Sequence, residues 1–208
     1  MTSGYDALDR LKKGNQRYVN EVRRQSTAAT QKRRDELVDG QNPFAIILGC
    51  SDSRVPAEIV FDQGLGDLFV IRVAGNVVAP SQVGSVEFAA DVFGTRLVIV
   101  LGHTQCGAVQ ATVEQLQQDT EHRSPNLRSI VDRIRPSVEP LLEGGHRYKK
   151  DELLDRAIRA NTFTAADDLR HGSAILEGLI RDDGLLIIPA EYSLETGVVE
   201  FFEERRQG

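Results

Sequence analysis

Two cysteines are all that the 208-residue chain carries, too few for a disulfide scaffold. Long apolar runs are missing as well: none approaches the ~18 residues that a membrane span needs. The opening MTSGYDALDR lacks the apolar core of a secretory signal, so the expected compartment is the cytoplasm. Basic residues are in deficit, 25 Lys and Arg against 31 Asp and Glu, for a net charge of -6. That balance argues against nucleic acid as a partner. No internal repeat or low-complexity tract is present. The length suits one domain, 1–208, with a core built without staples: a helical arm over 1–30 and an α/β core over 31–208.

Four short apolar runs stand out: FAIIL (Phe44 to Leu48), LFVIRV (Leu68 to Val73), LVIVL (Leu97 to Leu101) and LLIIP (Leu185 to Pro189). None alternates apolar with polar, which is how strands buried on both faces read. GVVEFF (Gly197 to Phe202) is more mixed and suggests an edge strand. Helical spacing occupies Ser81 to Phe93, Gly107 to Gln118, Asp151 to Leu169 and Gly172 to Ile180. Strands alternating with helices imply parallel crossovers. The expected fold is an open, mostly parallel α/β sheet flanked by helices, with about four parallel strands and an antiparallel edge strand. The amphipathic stretch Tyr5 to Val22 reads as the arm, which could pack on a partner subunit. Asp119 to Tyr148, with Pro125, Pro136, Pro140 and Gly144-Gly145, reads as a surface elaboration or a broken helix pair.

The two cysteines sit where chemistry is expected. Cys50 follows the first run, and His103 and Cys106 follow the third. Ligand crevices in open α/β sheets lie beyond the carboxyl ends of the strands. If those two strands are neighbours, the three side chains converge. Two cysteines and one histidine make a known catalytic zinc set, with the fourth position open for water. Two thiolates cancel the charge of Zn²⁺, so the acidity of that water would rest on outer groups. The competing reading is that both cysteines and the histidine merely pack.

Asp52 and Arg54 follow Cys50 in CSDSR. Arg54 would lower the pKa of Asp52 and orient it, and ionised Asp52 could accept a hydrogen bond from the nucleophile. Alternatively the two form a plain loop ion pair, or Asp52 swings onto the metal and displaces water. Gly107 opens a helix whose N–H groups could hold an anion, or it makes a simple strand-to-helix turn. Thr104 is a possible orienter, and Gly75-Asn76 reads as a turn. His122, His146 and His171 read as solvated, and QKRRDE and FFEERR as solvated helix faces or chain-end residues.

CSDSRVPAE (Cys50 to Glu58) and GHTQCGAV (Gly102 to Val109) closely resemble the two signature segments of the β-class carbonic anhydrases, and FVIRVAGN resembles the family's FVxRNxAN. The likeness runs from about Tyr5 to about Phe202. It implies a zinc enzyme, one ion per chain, in which zinc-bound hydroxide attacks carbon dioxide to give bicarbonate. It implies Cys50, His103 and Cys106 as ligands, Asp52 and Arg54 as the orienting dyad, and the backbone of Gly107 at the substrate. Gln41 matches a glutamine that the family takes from the partner subunit, Phe69 an aromatic of the apolar pocket, and Phe88 a position held by Tyr in some members. A homodimer, or a dimer of dimers, is implied too, with the fifth strand at an interface. Val73 and Gly75 depart from the family's commoner Asn and Ala. Some members hold an inhibitory bicarbonate with a Trp, an Arg and a Tyr. Here Ile47 stands for the Trp, Arg72 for the Arg and Ile187 for the Tyr, which predicts a weak or absent inhibited state. The rivals are a carbon disulfide or carbonyl sulfide hydrolase on the same scaffold, and a non-catalytic zinc- or bicarbonate-binding regulator.

Overall fold

The computed structural model describes residues 2–22, 30–118, 124–143 and 148–203, so His122 and His146 lie outside the described residues. The chain runs α1 (Gly4–Val19), α2 (Gln31–Glu36), β1 (Ala45–Gly49), α3 (Ala57–Val60) and β2 (Leu68–Arg72). A 3-10 turn (Ala74–Asn76), α4 (Pro80–Val92), β3 (Leu97–His103), α5 (Gly107–Gln118) and α6 (Pro125–Glu143) follow. The chain ends with α7 (Lys150–His171), α8 (Ala174–Asp182), β4 (Leu186–Tyr192) and β5 (Val199–Phe201). Strand order is β2-β1-β3-β4-β5, with the first four parallel and β5 antiparallel on β4. The mostly parallel open sheet with an antiparallel edge is therefore as the apolar runs indicate.

Both faces of the sheet are covered, which is why its inner strands are apolar without alternation. Every residue of β1 and of β3 is buried. On one face Ile47, Ile99, Leu101, Ile188 and Tyr192 pack with Ala7, Leu8 and Leu11 of α1 and Val60 of α3. On the other, Ile46, Leu48, Val98, Val100 and Ile187 meet Val86 and Ala89 of α4, Leu169 of α7 and Leu176 of α8. A third cluster lies beyond the strand ends: Val109 and Val113 of α5, Ile134 and Val138 of α6, Leu153 and Ile158 of α7, together with Cys50 and Cys106.

The first helix buries its inner face in its own chain. Ser3 caps it by accepting from the Asp6 N–H, as an N-cap serine does. Asn15 ties it down: its Nδ2 donates to the carbonyls of Val60 (3.1 Å) and Gly197 (2.9 Å), and its Oδ1 accepts from the Val199 N–H at 2.9 Å. Gly14 allows the close approach, since a Cβ there would lie 1.9 Å from the Phe61 carbonyl oxygen. QKRRDE forms α2 with no buried residue, a solvated helix as its charge suggests.

One expectation needs correction. Residues 125–143 are neither a surface elaboration nor a broken pair but one helix, α6, with Pro136 and Pro140 inside it. Each proline removes its own N–H from the helix ladder and crowds the carbonyl four residues back. The apolar stripe Val131, Ile134, Val138, buried against α5 and α7, holds the helix together despite that loss.

The Gly14 contact makes a test. Alanine should gain about 1 kcal/mol in helix propensity, yet its methyl would collide with main chain that cannot rotate away. Gly14→Ala is therefore expected to destabilise the fold by a net of about 1–3 kcal/mol. A lowered urea midpoint at unchanged m-value would show it; an unchanged or raised midpoint would mean that α1 shifts at no cost.

Candidate metal centre and active site

The two strands that matter are neighbours. β1 and β3 pair in register, Gly49 opposite Leu101. The chain leaves β1 toward β2 on one side and returns to β3 on the other, so the gap between their carboxyl ends is the switch point of the sheet. Cys50 emerges from β1 there, His103 ends β3, and Cys106 immediately precedes α5. All three are buried, at 6%, 0% and 1% exposure. One ligand atom from each lies within 4.8 Å of the others. The convergence anticipated from the sequence is realised.

The histidine shows what is missing from this triangle. Its Nδ1 lies 2.9 Å from the Thr104 carbonyl oxygen, which can only accept, so Nδ1 carries the ring proton. Nε2 then offers a lone pair toward the two sulfurs. It is fully buried and has no hydrogen-bond partner. A buried orphan of this kind costs free energy unless something fills it. The thiols tell the same story. The neighbouring Cys106 thiol, with the Gly75 N–H beside it, draws the Cys50 pKa far down. The nearby Cys50 sulfur, with burial, pushes Cys106 far up. The pair gives up one proton readily and holds the second, and a cation in its place would let both ionise. Two soft sulfurs and one imidazole nitrogen fit zinc in donor type and number.

Asp52 sits beside this group, its Oδ2 4.0 Å from His103 Nε2. Arg54 grips it on both oxygens: Nε donates to Oδ1 at 2.9 Å, Nη2 to Oδ2 at 2.7 Å, and the Arg54 N–H to Oδ1 at 2.9 Å. The Arg54 side chain, followed by its backbone N–H, therefore holds the Asp52 carboxyl well below the usual carboxylate range. Arg72 pins the loop from beneath, donating from Nε to the Cys50 carbonyl (3.0 Å) and from Nη2 to the Asp52 carbonyl (2.5 Å). Arg54 also reaches the carbonyl of Gln105, a residue in left-handed conformation at φ 56. Gly107 starts α5 with open space where a Cβ would point.

Other expected residues are not brought to the group within one chain. Gln41 is exposed and precedes β1, at the end of that strand opposite Cys50. Phe69 pairs with Ile46 near the start of β1. It packs with Phe88 and Phe93 at ring distances of 6.3 and 6.1 Å, and Phe88 is 50% exposed. Thr104 orients His103 through its carbonyl; its hydroxyl accepts from the Leu194 N–H instead. Ile47 and Ile187 lie on opposite faces of the sheet and share no pocket. Ile188 is the β4 residue on the face of Ile47, and it too lacks a donor. His171 is exposed and borders a groove of about 1000 Å³ beside β4 that none of the three clustered residues lines. Reading the sequence missed the Gly75 N–H, 3.4 Å from Cys50 Sγ, and the Asn161 side chain behind it. Only the positive φ that glycine permits could have hinted at the former.

Known proteins agree with this arrangement. The carbonic anhydrase family model matches residues 45–199. The chain is 46% identical to a carbonic anhydrase of Mycolicibacterium smegmatis, over 91% of this chain and 89% of that one. It is 40% identical to carbonic anhydrase 2 of Mycobacterium tuberculosis, over 94% of this chain and 91% of that one. A solved tetrameric β-carbonic anhydrase from Sordaria macrospora superposes with a TM-score of 0.72 at 19% identity, over 82% of this chain and 86% of that one, a likeness of fold. With the family model running from β1 to the start of β5 and relatives matched nearly end to end, the chain belongs to the β-class carbonic anhydrases.

Proposed function

We propose that the protein is a zinc-dependent carbonic anhydrase that interconverts carbon dioxide and bicarbonate, with Cys50, His103 and Cys106 holding one zinc ion per chain. The observation that carries this reading is the buried, unpartnered Nε2 of His103 facing two thiols. Bound zinc supplies a Lewis acid that makes water a competent nucleophile near neutral pH.

The chain's own groups then orient the reaction. Asp52, kept ionised by Arg54, is an acceptor only. An attacking oxygen can donate its proton toward Oδ2 and is left with a lone pair aimed elsewhere, at carbon. Arg54 occupies both carboxylate oxygens, so Asp52 is restrained from turning away to ligate the metal. The N–H groups at the start of α5, at Gly107, are placed to receive the negative charge that forms on the substrate oxygens. Carbon dioxide carries no charge or net dipole, so an apolar chamber suits it, and we assign Phe69, Phe88 and Gln41 to that chamber in the neighbouring protomer. The half-exposed ring of Phe88 and the exposed side chain of Val92, one turn on along α4, support burial of this surface against a second copy. The assembly is then a homodimer or a dimer of dimers. Two free thiols at the centre suit a reducing compartment, and we place the protein in the cytoplasm. Among the described residues no helix is long and apolar enough to cross a membrane.

Stopped-flow hydration of carbon dioxide on protein of measured zinc content tests the assignment. Fast turnover at one zinc per chain, abolished by a chelator and restored by zinc, is the expected result. No turnover at full occupancy would sink it. Asp52→Asn should retain zinc and lose roughly 10²-fold or more in kcat; an unaffected variant would remove Asp52 from the mechanism.

The dyad also has a pH signature. Because the folded Asp52 pKa is depressed, its stabilising effect is present above the unfolded value of 3.8 and is lost as pH falls through the folded one. Asp52 therefore stays ionised across the working range. Removing the guanidinium in Arg54→Ala should raise the Asp52 pKa toward 3.8, read by carbon-13 NMR of its carboxyl. A carboxyl titrating alike in both proteins would show that Arg54 does not govern it.

A further inference from the structure

Gly75 is the residue least able to hold its own backbone in place, yet its N–H is one of the groups that meets Cys50 Sγ, at 3.4 Å. The glycine is required there. It adopts φ 68 and ψ 19, and a Cβ would come within 2.8 Å of Ile134 Cδ1 and 3.2 Å of Ala108 Cβ. Something outside the turn must therefore fix the direction of that N–H. The start of the turn is anchored, since the Val73 N–H donates to the Gly49 carbonyl at 3.1 Å. Beyond the glycine one side chain takes hold: Asn161 Nδ2 donates to the Gly75 carbonyl at 2.8 Å. Asn161 is 2% exposed, midway along α7, next to Ile158 of the cluster that contains both cysteines.

We propose that Asn161 is a positioning residue for the Cys50 sulfur: by clamping the Gly75 carbonyl it locks the left-handed turn and aims the Gly75 N–H at Sγ. This rests on the reading of Cys50 as a metal ligand. A hydrogen bond to a ligating sulfur withdraws electron density from it, and with two thiolates on one cation that withdrawal leaves the metal a stronger acid. The adjoining residue of α7 acts on the other half of the site. Thr162 packs so closely on β3 that a Cβ at Gly102 would lie 2.1 Å from its Oγ1, one residue before His103. One turn of α7 thus meets both the turn whose N–H faces Cys50 and the strand that ends in His103. Asn161 touches no reacting atom and acts through Gly75 alone.

Asn161→Leu keeps the number and branching of the side-chain heavy atoms and removes the donor. In a zinc competition assay against a chelator it is expected to bind about 10-fold more weakly or worse. In the cobalt-substituted protein its sulfur-to-metal charge-transfer band should move to lower energy, because the unrelieved thiolate is easier to oxidise. A merely structural loss would not shift that band. Thr164→Val is the control: it removes another α7 hydrogen bond, from Ser137 Oγ at 2.9 Å, that involves neither Gly75 nor a cysteine. It should keep the wild-type affinity and band. If Asn161→Leu does not fold, Asn161→Ser, too short to reach the Gly75 carbonyl, is read in its place. Wild-type affinity and an unshifted band in the variant would overturn the proposal while leaving the metal assignment intact. A wild-type cobalt protein with no thiolate band would overturn the metal assignment and the proposal with it.

Discussion

Pairing of β1 with β3 is the constraint on which the rest depends. With Gly49 opposite Leu101, the first residue past β1 and the last of β3 emerge side by side at the switch point of the sheet. Side chains on a strand alternate between faces, so a slip of one residue would send His103 away from Cys50. That register is protected by burial rather than by any polar key. Ile47, Ile99 and Ile188 face α1, while Ile46, Val98 and Ile187 face α4, α7 and α8. Both faces are filled by shaped aliphatic side chains, so a shifted strand would meet mismatched volumes on either side. The geometry of the polar centre is thus inherited from an apolar lattice that takes no part in the chemistry.

At the centre the logic reverses, and polar groups are placed where only a cation satisfies them. Two buried thiols lie close together, and an imidazole nitrogen stands buried without a partner. Around that deficit every group that must stay put is fully engaged. The imidazole is fixed by the Thr104 carbonyl, the Cys50–Asp52 backbone by Arg72, and the Asp52 carboxylate by Arg54. The division of labour between the two arginines is clear from their targets. Arg72 bonds to carbonyls and sets where the loop runs; Arg54 bonds to the carboxylate and sets its charge and direction. Exchanging either for lysine would discard the fork geometry that lets one side chain serve two acceptors.

Much of this was legible in the chain itself, for physical reasons. Strands buried on two faces must be apolar throughout, so FAIIL and LVIVL announced themselves, and with them the strand ends that carry Cys50, His103 and Cys106. Asp52 and Arg54 were readable because a two-residue spacing in a turn brings a carboxylate and a guanidinium together. What escaped was set by contacts distant in sequence. The prolines of α6 read as breakers, because the compensating burial of Ile134 and Val138 comes from α5 and α7. By resemblance Ile187 reads as a partner of Ile47, although the register of β4 puts Ile188 on that face. The roles proposed for Gln41 and Phe88 rest on a second protomer, which no periodicity in one chain can reveal.

Helix α7 solves a problem that the strands leave open. Strand register fixes where backbones lie, but the metal group is built past the strand ends, on a 3-10 turn and a loop with no ladder of their own. A long helix laid across those ends supplies the missing restraint. Its apolar side enters the cluster around the cysteines through Leu153, Ala157 and Ile158. Its polar residues in the next turn meet backbone: Asn161 bonds to Gly75, and Thr162 fills the space that the missing Cβ of Gly102 leaves. Glycine at those two positions therefore shares a cause, to which Gly75 adds its left-handed turn: the closeness of approach that lets α5, α6 and α7 carry the rigidity of the core out to the site.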